Sequence, residues 1–398
     1  MASRRLPRAR RLSARPRAAL PGVAPRIPPE RAINKERTMK FKTLLLGTSA
    51  AMLAAPAVMA QDMANSMTVV SWGGAYQISQ TNAYTEPYKA MHPGLEVVWD
   101  ESSPEAVAKL RAMNEAGNLT WDLVDVTAAD AMRLCDEGLA MEIDHDELLA
   151  PAPDGTPASA DFGDMIVSDC FIPQIVYSVT NGYRTDLVGD TAPTSICALF
   201  DTEAYPGKRM LEKRPINNLE WALLCDGVAK ADIYDVLETE EGQAQALAKL
   251  DTIKDNVIWW SSAAEAIQYL ADGEAVMGSS YNGRFFSAIV EQNQPIGMLW
   301  DAQVYDLDGW IIPTGLPEDR LARVKDFLYF ATDTQRLADQ AKWISYGPAR
   351  ASSAPLVSTH ADLGIDMAPH MPTDPANAQN VFVQNFEWWA DYRDDLDA

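Results

Sequence analysis

From residue 68 onward the apolar positions switch repeatedly between short continuous runs and helical spacing. The run Thr68-Val-Val-Ser-Trp72 predicts a strand, and Ala75–Met91 carries its apolar residues at helical spacing and predicts a helix. A strand over Leu95–Trp99 follows the His-Pro-Gly turn. A helix over Pro104–Ala116, a buried strand over Leu123–Val126 and a helix over Ala128–Glu137, ended by Gly138, come next. A polar Pro/Ala/Asp stretch over 150–160 predicts a loop. Strand and helix in alternation predict an α/β domain with a mostly parallel sheet.

After Ile172 the pattern changes. Pro173–Thr180 is a long strand-like run that crosses into a second domain. That domain holds a loop ending in Pro206-Gly-Lys208, helices over Leu219–Val228, Gln243–Ile253 and Ser262–Leu270, and a strand over Ala275–Ser279. Gln303–Pro313 reads as the return strand, with helices over Ala322–Ala331 and Thr334–Ile344. There is no internal repeat. Two α/β lobes joined by extended crossover strands enclose a hinged cleft. Residues 61–176 with 309–350 form the first lobe and 177–308 the second. Residues 351–398 are a C-terminal helical segment that the pattern assigns to neither.

The N-terminal residues add a destination. Lys40 and Lys42 precede an apolar stretch over Leu44–Ala55, too short to span a bilayer, and Val58-Met-Ala60 is a small-residue cleavage signal. Residues 39–60 therefore read as a signal peptide, with a mature start near Gln61. The Arg/Pro-rich residues 1–38 read as a leader or a mis-assigned start. Without residues 1–60 the chain has 20 basic against 54 acidic residues, a net charge of −34. Such a surface repels nucleic acid and anionic lipid. It attracts cationic solutes, and it equally suits solubility in salty water.

Four cysteines in an exported chain admit three disulfide connectivities. Sequential pairing, Cys135–Cys170 and Cys197–Cys225, closes the shorter loops and is the expected one. No CxxC occurs, and His92, His145, His360 and His370 lack ligand spacing, so no metal and no cofactor is expected. No G-x-S-x-G, HExxH or kinase motif is present, and Gly73-Gly74 begins no phosphate-binding pattern. These absences argue against an enzyme. A secreted hydrolase and a ligand-sensing receptor subunit are the alternatives to a binding protein.

The segments Ser71-Trp-Gly-Gly-Ala-Tyr76, Trp121-Asp-Leu-Val124, Glu137-Gly138, Ile143-Asp144, Tyr205-Pro-Gly-Lys208, Tyr281-Asn-Gly283 and Asp308 with Ile312-Pro313 occur in an order that is informative as a set. Together they resemble the periplasmic polyamine-binding (spermidine/putrescine) proteins of ABC importers, within the family 1 extracellular solute-binding superfamily. The resemblance covers essentially the whole mature chain. It implies a type II clamshell, a monomer in the periplasm that captures a small organic amine and delivers it to a permease in the inner membrane. The family's amine pocket falls on Trp72 and Tyr76, Thr127, Glu220, Tyr281, the ammonium-binding Asp308, and Tyr346.

This chain departs from that pattern at Ala129, Asn217 and Asp306, where the spermidine binders carry Tyr, Asp and Trp. One acidic contact at the distal amine end is lost. Arg284, directly after Tyr281-Asn-Gly283, would repel a diamine and hold a carboxylate bidentately. Arg284 with Asp308 points to a zwitterion such as 4-aminobutyrate. The alternative for Arg284 is an ion pair with Glu274 or Glu291. The pairs Trp259-Trp260 and Trp388-Trp389 read as packing residues, and Asp232, Asp235, Glu238, Glu240 and Glu241 as a solvated face.

Overall fold

A computed structural model describes residues 63–397, so the expected leader and signal peptide lie outside the described residues. The strands are β1 Ser66–Val70, β2 Glu96–Asp100, β3 Leu123–Thr127, β4 Ile172–Arg184, β5 Arg209–Glu212, β6 Val257–Trp260, β7 Met277–Tyr281, β8 Ile296–Ile311, β9 Gly347–Pro348 and β10 Phe382–Val383. They form one sheet in the order β2-β1-β3-β8-β4-β7-β5-β6, with β9 on β4 and β10 on β8.

The three strands of the first α/β unit are parallel, as expected, while the sheet as a whole is mixed. β1 is parallel to β2 and β3, and β5 is parallel to β6 and β7. Between these two parallel halves, β4 and β8 run antiparallel to each other and to β3 and β7. The physical reason is connectivity. A chain that leaves one half on β4 must return on β8, and the two passes run in opposite directions. β3 pairs with the C-terminal end of β8, and β7 with the C-terminal end of β4, so these two long strands belong to both halves. Their ladder slips between Pro173 and Ile175 and between Val179 and Asn181.

The predicted helix over 75–91 is helical throughout, with a π-turn at Thr81–Thr85 between Gly74–Gln80 and Glu86–Met91. β5 and β6 answer to no expectation. Each is a four-residue run, too short to show alternation, and only pairing makes them strands. In β6 Trp260 is buried and Trp259 is 43 % exposed, so the packing expectation holds for one tryptophan of that pair. Trp388 and Trp389 are both buried. The loop expected over 150–160 gives way at its end to a short helix, Ala158–Phe162. Both expected disulfides are formed, Cys135–Cys170 and Cys197–Cys225.

The C-terminal helix Phe386–Asp397 takes neither side alone. Arg393 pairs with Asp130 at 2.5 Å, and Asp394 with Arg133, on the helix Ala128–Asp136 that follows β3. Trp389 donates to Glu220 on the helix Asn218–Cys225 that follows β5. The segment therefore straps the two halves together.

Candidate functional site

The site begins at a turn that glycine makes possible. Gly73 and Gly74 have φ of 69° and 55°, a left-handed pair that ends the β1 segment and starts the helix Gly74–Gln80. The turn throws Trp72 and Tyr76 toward β8. There Trp72 Nε1 donates to Asp308 Oδ2 at 2.7 Å, and Tyr76 Oη lies 2.7 Å from Asp308 Oδ1. Asp308 sits opposite Thr127 on β3 and Ile175 on β4, at the join of the two halves. Burial pushes its carboxyl well above the usual carboxylate range, and Asp125 on β3 adds to the shift.

Thr127 plays a local part as well. Its hydroxyl accepts from the Asp130 amide at 3.4 Å and caps the helix Ala128–Asp136. Tyr346 is buried with its ring 5.9 Å from Tyr76 and 6.0 Å from Tyr177, and Tyr177 lies 5.7 Å from Tyr281. An aromatic row thus runs from the Asp308 end to β7. Tyr281-Asn-Gly283 has a structural meaning beside its aromatic. Asn282 accepts from the Ser178 amide at 3.0 Å and donates to the Ser345 carbonyl at 2.5 Å. A side chain at Gly283 would meet the Tyr346 ring at 2.6 Å, so only glycine lets that ring in.

Arg284 reaches back across the site, its Nη2 3.5 Å from the Gly73 carbonyl. Neither Glu274 nor Glu291 pairs with it; among the described residues no carboxylate lies within 4 Å of its guanidinium. Glu291 instead faces His360 at 3.4 Å. Arg284 and Asp308 are therefore held at one turn, over Trp72–Gly74, without neutralising each other.

Glu220 stands apart from this group. It is fully buried, accepts from Trp389 Nε1 at 2.7 Å and from Tyr234 Oη at 3.2 Å, and burial raises its carboxyl to about 7. Its hydrogen bonds anchor the C-terminal strap, and none of them runs to Asp308, Trp72 or Tyr76.

Sequence reasoning passed over several groups here, and met Asp306 only as a departure from the family pattern. Tyr177 Oη donates to Asp306 Oδ2 at 2.5 Å, and burial lifts Asp306 to about 6. Arg214 faces Glu212 at 3.3 Å, below Tyr281. Behind Asp308 lie Gln80, Gln174 and Asp125, all buried. Asp125 had a signal, an acid inside the apolar run Leu123-Val-Asp-Val126, where an unexplained charge is costly. A separate groove of about 730 Å³, lined by Lys230, Tyr234 and residues 381–387, shares no residue with the Asp308 group.

A family profile described as bacterial extracellular solute-binding protein matches residues 83–373. A γ-aminobutyric acid-binding protein of Pseudomonas aeruginosa is 34 % identical over 341 residues, 86 % of this chain and 91 % of its own. Among solved structures, MotA of A. tumefaciens B6 in complex with glucopine superposes with a TM-score of 0.73 at 26 % identity, covering 83 % of this chain and 97 % of that one. The Atu4243 GABA receptor superposes with a TM-score of 0.69 at 30 % identity, over 83 % and 95 % of the two chains. With half the sheet on either side of two shared strands, and with these relatives, the chain belongs to the bacterial extracellular solute-binding proteins.

Proposed function

We propose that this protein captures a zwitterionic ω-amino acid of the 4-aminobutyrate type in the periplasm and delivers it to an ABC permease. The observation that carries the reading is Arg284, a half-buried guanidinium with no carboxylate partner among the described residues, held at the turn whose Trp72 and Tyr76 bind Asp308. A ligand with an ammonium at one end and a carboxylate at the other meets both charges. Aromatic faces between them attract an alkylammonium by ~0.5–2 kcal/mol each. The γ-aminobutyric acid-binding relative, at 34 % identity, supports the same ligand class. A diamine fits less well, because its second ammonium would face Arg284.

Lobe 1 on this reading is residues 61–176 with 309–350, and lobe 2 is 177–308. The two boundaries fall inside β4 and β8, where bending of the shared strands would open and close the cleft. The ligand bridges the lobes and stabilises the closed state by its differential affinity. Thr127 and Tyr346 line the Asp308 end, Tyr281 the far end, and Glu220 acts through the C-terminal strap. The protein works as an exported monomer whose signal peptide ends near Gln61.

Calorimetry of the purified mature protein with 4-aminobutyrate and with putrescine tests this. Saturable binding of the amino acid at least tenfold tighter than putrescine is expected. Binding of putrescine with no heat from the amino acid would return the protein to the polyamine binders.

A further inference from the structure

The groups behind Asp308 do not satisfy one another with the protons that ionised carboxylates allow. Tyr76 Oη lies 2.7 Å from Asp308 Oδ1 and 2.6 Å from Gln174 Oε1, and a phenol has a single proton to give. If it goes to Gln174, the short contact with Asp308 needs a proton on Asp308. If it goes to Asp308, Gln174 must turn its amide nitrogen toward Tyr76. Gln80, 3.2 Å from Gln174, must then turn its oxygen to receive the other amide proton. That places the Gln80 oxygen 2.8 Å from Asp125 Oδ2, a contact that needs a proton on Asp125. Ser71 Oγ, 2.6 Å from Gln80, can donate or accept and fits both cases. Either orientation of the two amides closes the network with one carboxyl protonated.

Nothing nearby offers a counter-charge instead. Asp125 is fully buried, its Oδ1 has no partner, and no cation lies within 4 Å of either carboxyl among the described residues. The groups facing the pair are Tyr76 and Tyr84 from the helical run 74–91, Asp306 from β8, Tyr177 from β4, and Tyr346. Arg284 approaches only from the side of Tyr346 and Gly73, and Arg336, beyond Tyr84, is taken by Asp339 at 2.5 Å.

We propose that Asp125 is a positioning residue for the ammonium site: in the empty protein it and Asp308 share one proton through Gln80, Gln174 and Tyr76, and an arriving ammonium expels that proton to solvent. The proposal rests on the ω-amino acid reading only for the identity of the incoming ammonium. Burial and mutual repulsion, which hold both carboxyls above their usual range, act in the same direction. Capture of a cation is then an exchange of one positive charge for another. The Asp308 end never holds two unpaired buried charges.

Carbon-13 NMR of the aspartate carboxyls in the empty protein tests the shared proton without any ligand. Two carboxyl signals should move together, with one midpoint above the ordinary carboxylate range, and Asp125→Asn should remove one and shift the other downward. Calorimetry with 4-aminobutyrate one pH unit or more below that midpoint, in two buffers of different ionisation heat, reads the expelled proton as a buffer-dependent heat. About one proton should leave per ligand bound, and affinity should rise ~tenfold per pH unit below the midpoint. In Asp125→Asn the proton count should fall below half. Ordinary carboxyl midpoints for both residues in the wild type, or an equal proton count in wild type and Asp125→Asn, overturns the proposal. If Asp125→Asn does not fold, the joint movement of the two wild-type signals decides. A shifted pair together with no heat from any amine removes the ligand reading and leaves the shared proton standing.

Discussion

Arg284 and Asp308 matter because each keeps a charge or a polar head available that the fold could easily have quenched. Truncating the guanidinium leaves a ligand carboxylate buried without a partner, so Arg284→Ala should weaken 4-aminobutyrate by ~2–5 kcal/mol. Should the same change leave the amino acid's calorimetric affinity intact, Arg284 is not its carboxylate partner. A diamine would be unaffected, or would bind more tightly with the like charge gone. Asp308→Asn should cost any amine ligand a similar amount, measured in the same titration. The turn itself is a third test. Gly74 has φ of 55°, and a β-carbon there would come 2.7 Å from Arg284 Nη1. Gly74→Ala should therefore lower stability by ~1–2 kcal/mol and weaken ligand binding, because the only relief is to displace Arg284. Thermal melts and calorimetry on one sample separate the two effects.

At the scale of elements, the C-terminal helix Phe386–Asp397 joins the two halves through unlike contacts on its two sides. Toward the helix after β3 it makes two ion pairs, a largely buried one between Arg393 and Asp130 and one with the exposed Asp394, of which the exposed one contributes little. Toward the helix after β5 it buries Trp389 on Glu220. Burial raises the Glu220 carboxyl to about 7 from 4.5, so the folded protein binds this proton more tightly than the unfolded chain. Its contribution is fully present below about pH 4.5 and is lost as pH rises through about 7, with a ceiling on the order of 3 kcal/mol. Glu220→Gln keeps an acceptor for Trp389 and Tyr234 and removes the titration. Denaturant unfolding between pH 4.5 and 7 should show a falling stability in the wild type and a flatter profile in the variant. Parallel profiles would place the ionisation elsewhere.

The whole molecule depends on cross-links within regions rather than across the crossover strands. Cys135–Cys170 ties the end of the helix after β3 to the entry of β4, and Cys197–Cys225 ties the turn before β5 to the end of the helix after it. They close loops of 35 and 28 residues, for which the expected stabilisation is ~2–4 kcal/mol each. Reduction should lower the melting temperature while leaving ligand affinity within about threefold, since neither bridge spans the bend proposed for β4 and β8. A large loss of affinity on reduction would show that the bridges set the cleft geometry. N-terminal sequencing of the exported protein should start at or near Gln61, and a mature chain that keeps residues 1–38 would refute the signal-peptide assignment.

The sequence alone determined the α/β class, most helices, both crossover strands, the disulfide pairing, and the residues around Asp308 that carry a family pattern. Those features are local or periodic: a helix shows its spacing, a long buried strand its apolar run, and Trp72-Gly-Gly its turn. Only the tertiary structure decided which way the two crossover strands run in the sheet, because their direction depends on how the chain returns and not on any residue. β5 and β6 were hidden for the same reason, being strands by virtue of their neighbours. The freedom of Arg284 was equally illegible, since a charge shows in sequence but the absence of a partner for it does not. The partner that Glu220 takes, Trp389 some 170 positions along the chain, was equally hidden, because only the fold brings the two together. And the isolation of Asp125 from any cation among the described residues, on which the proposed shared proton depends, follows from three-dimensional burial and from no motif.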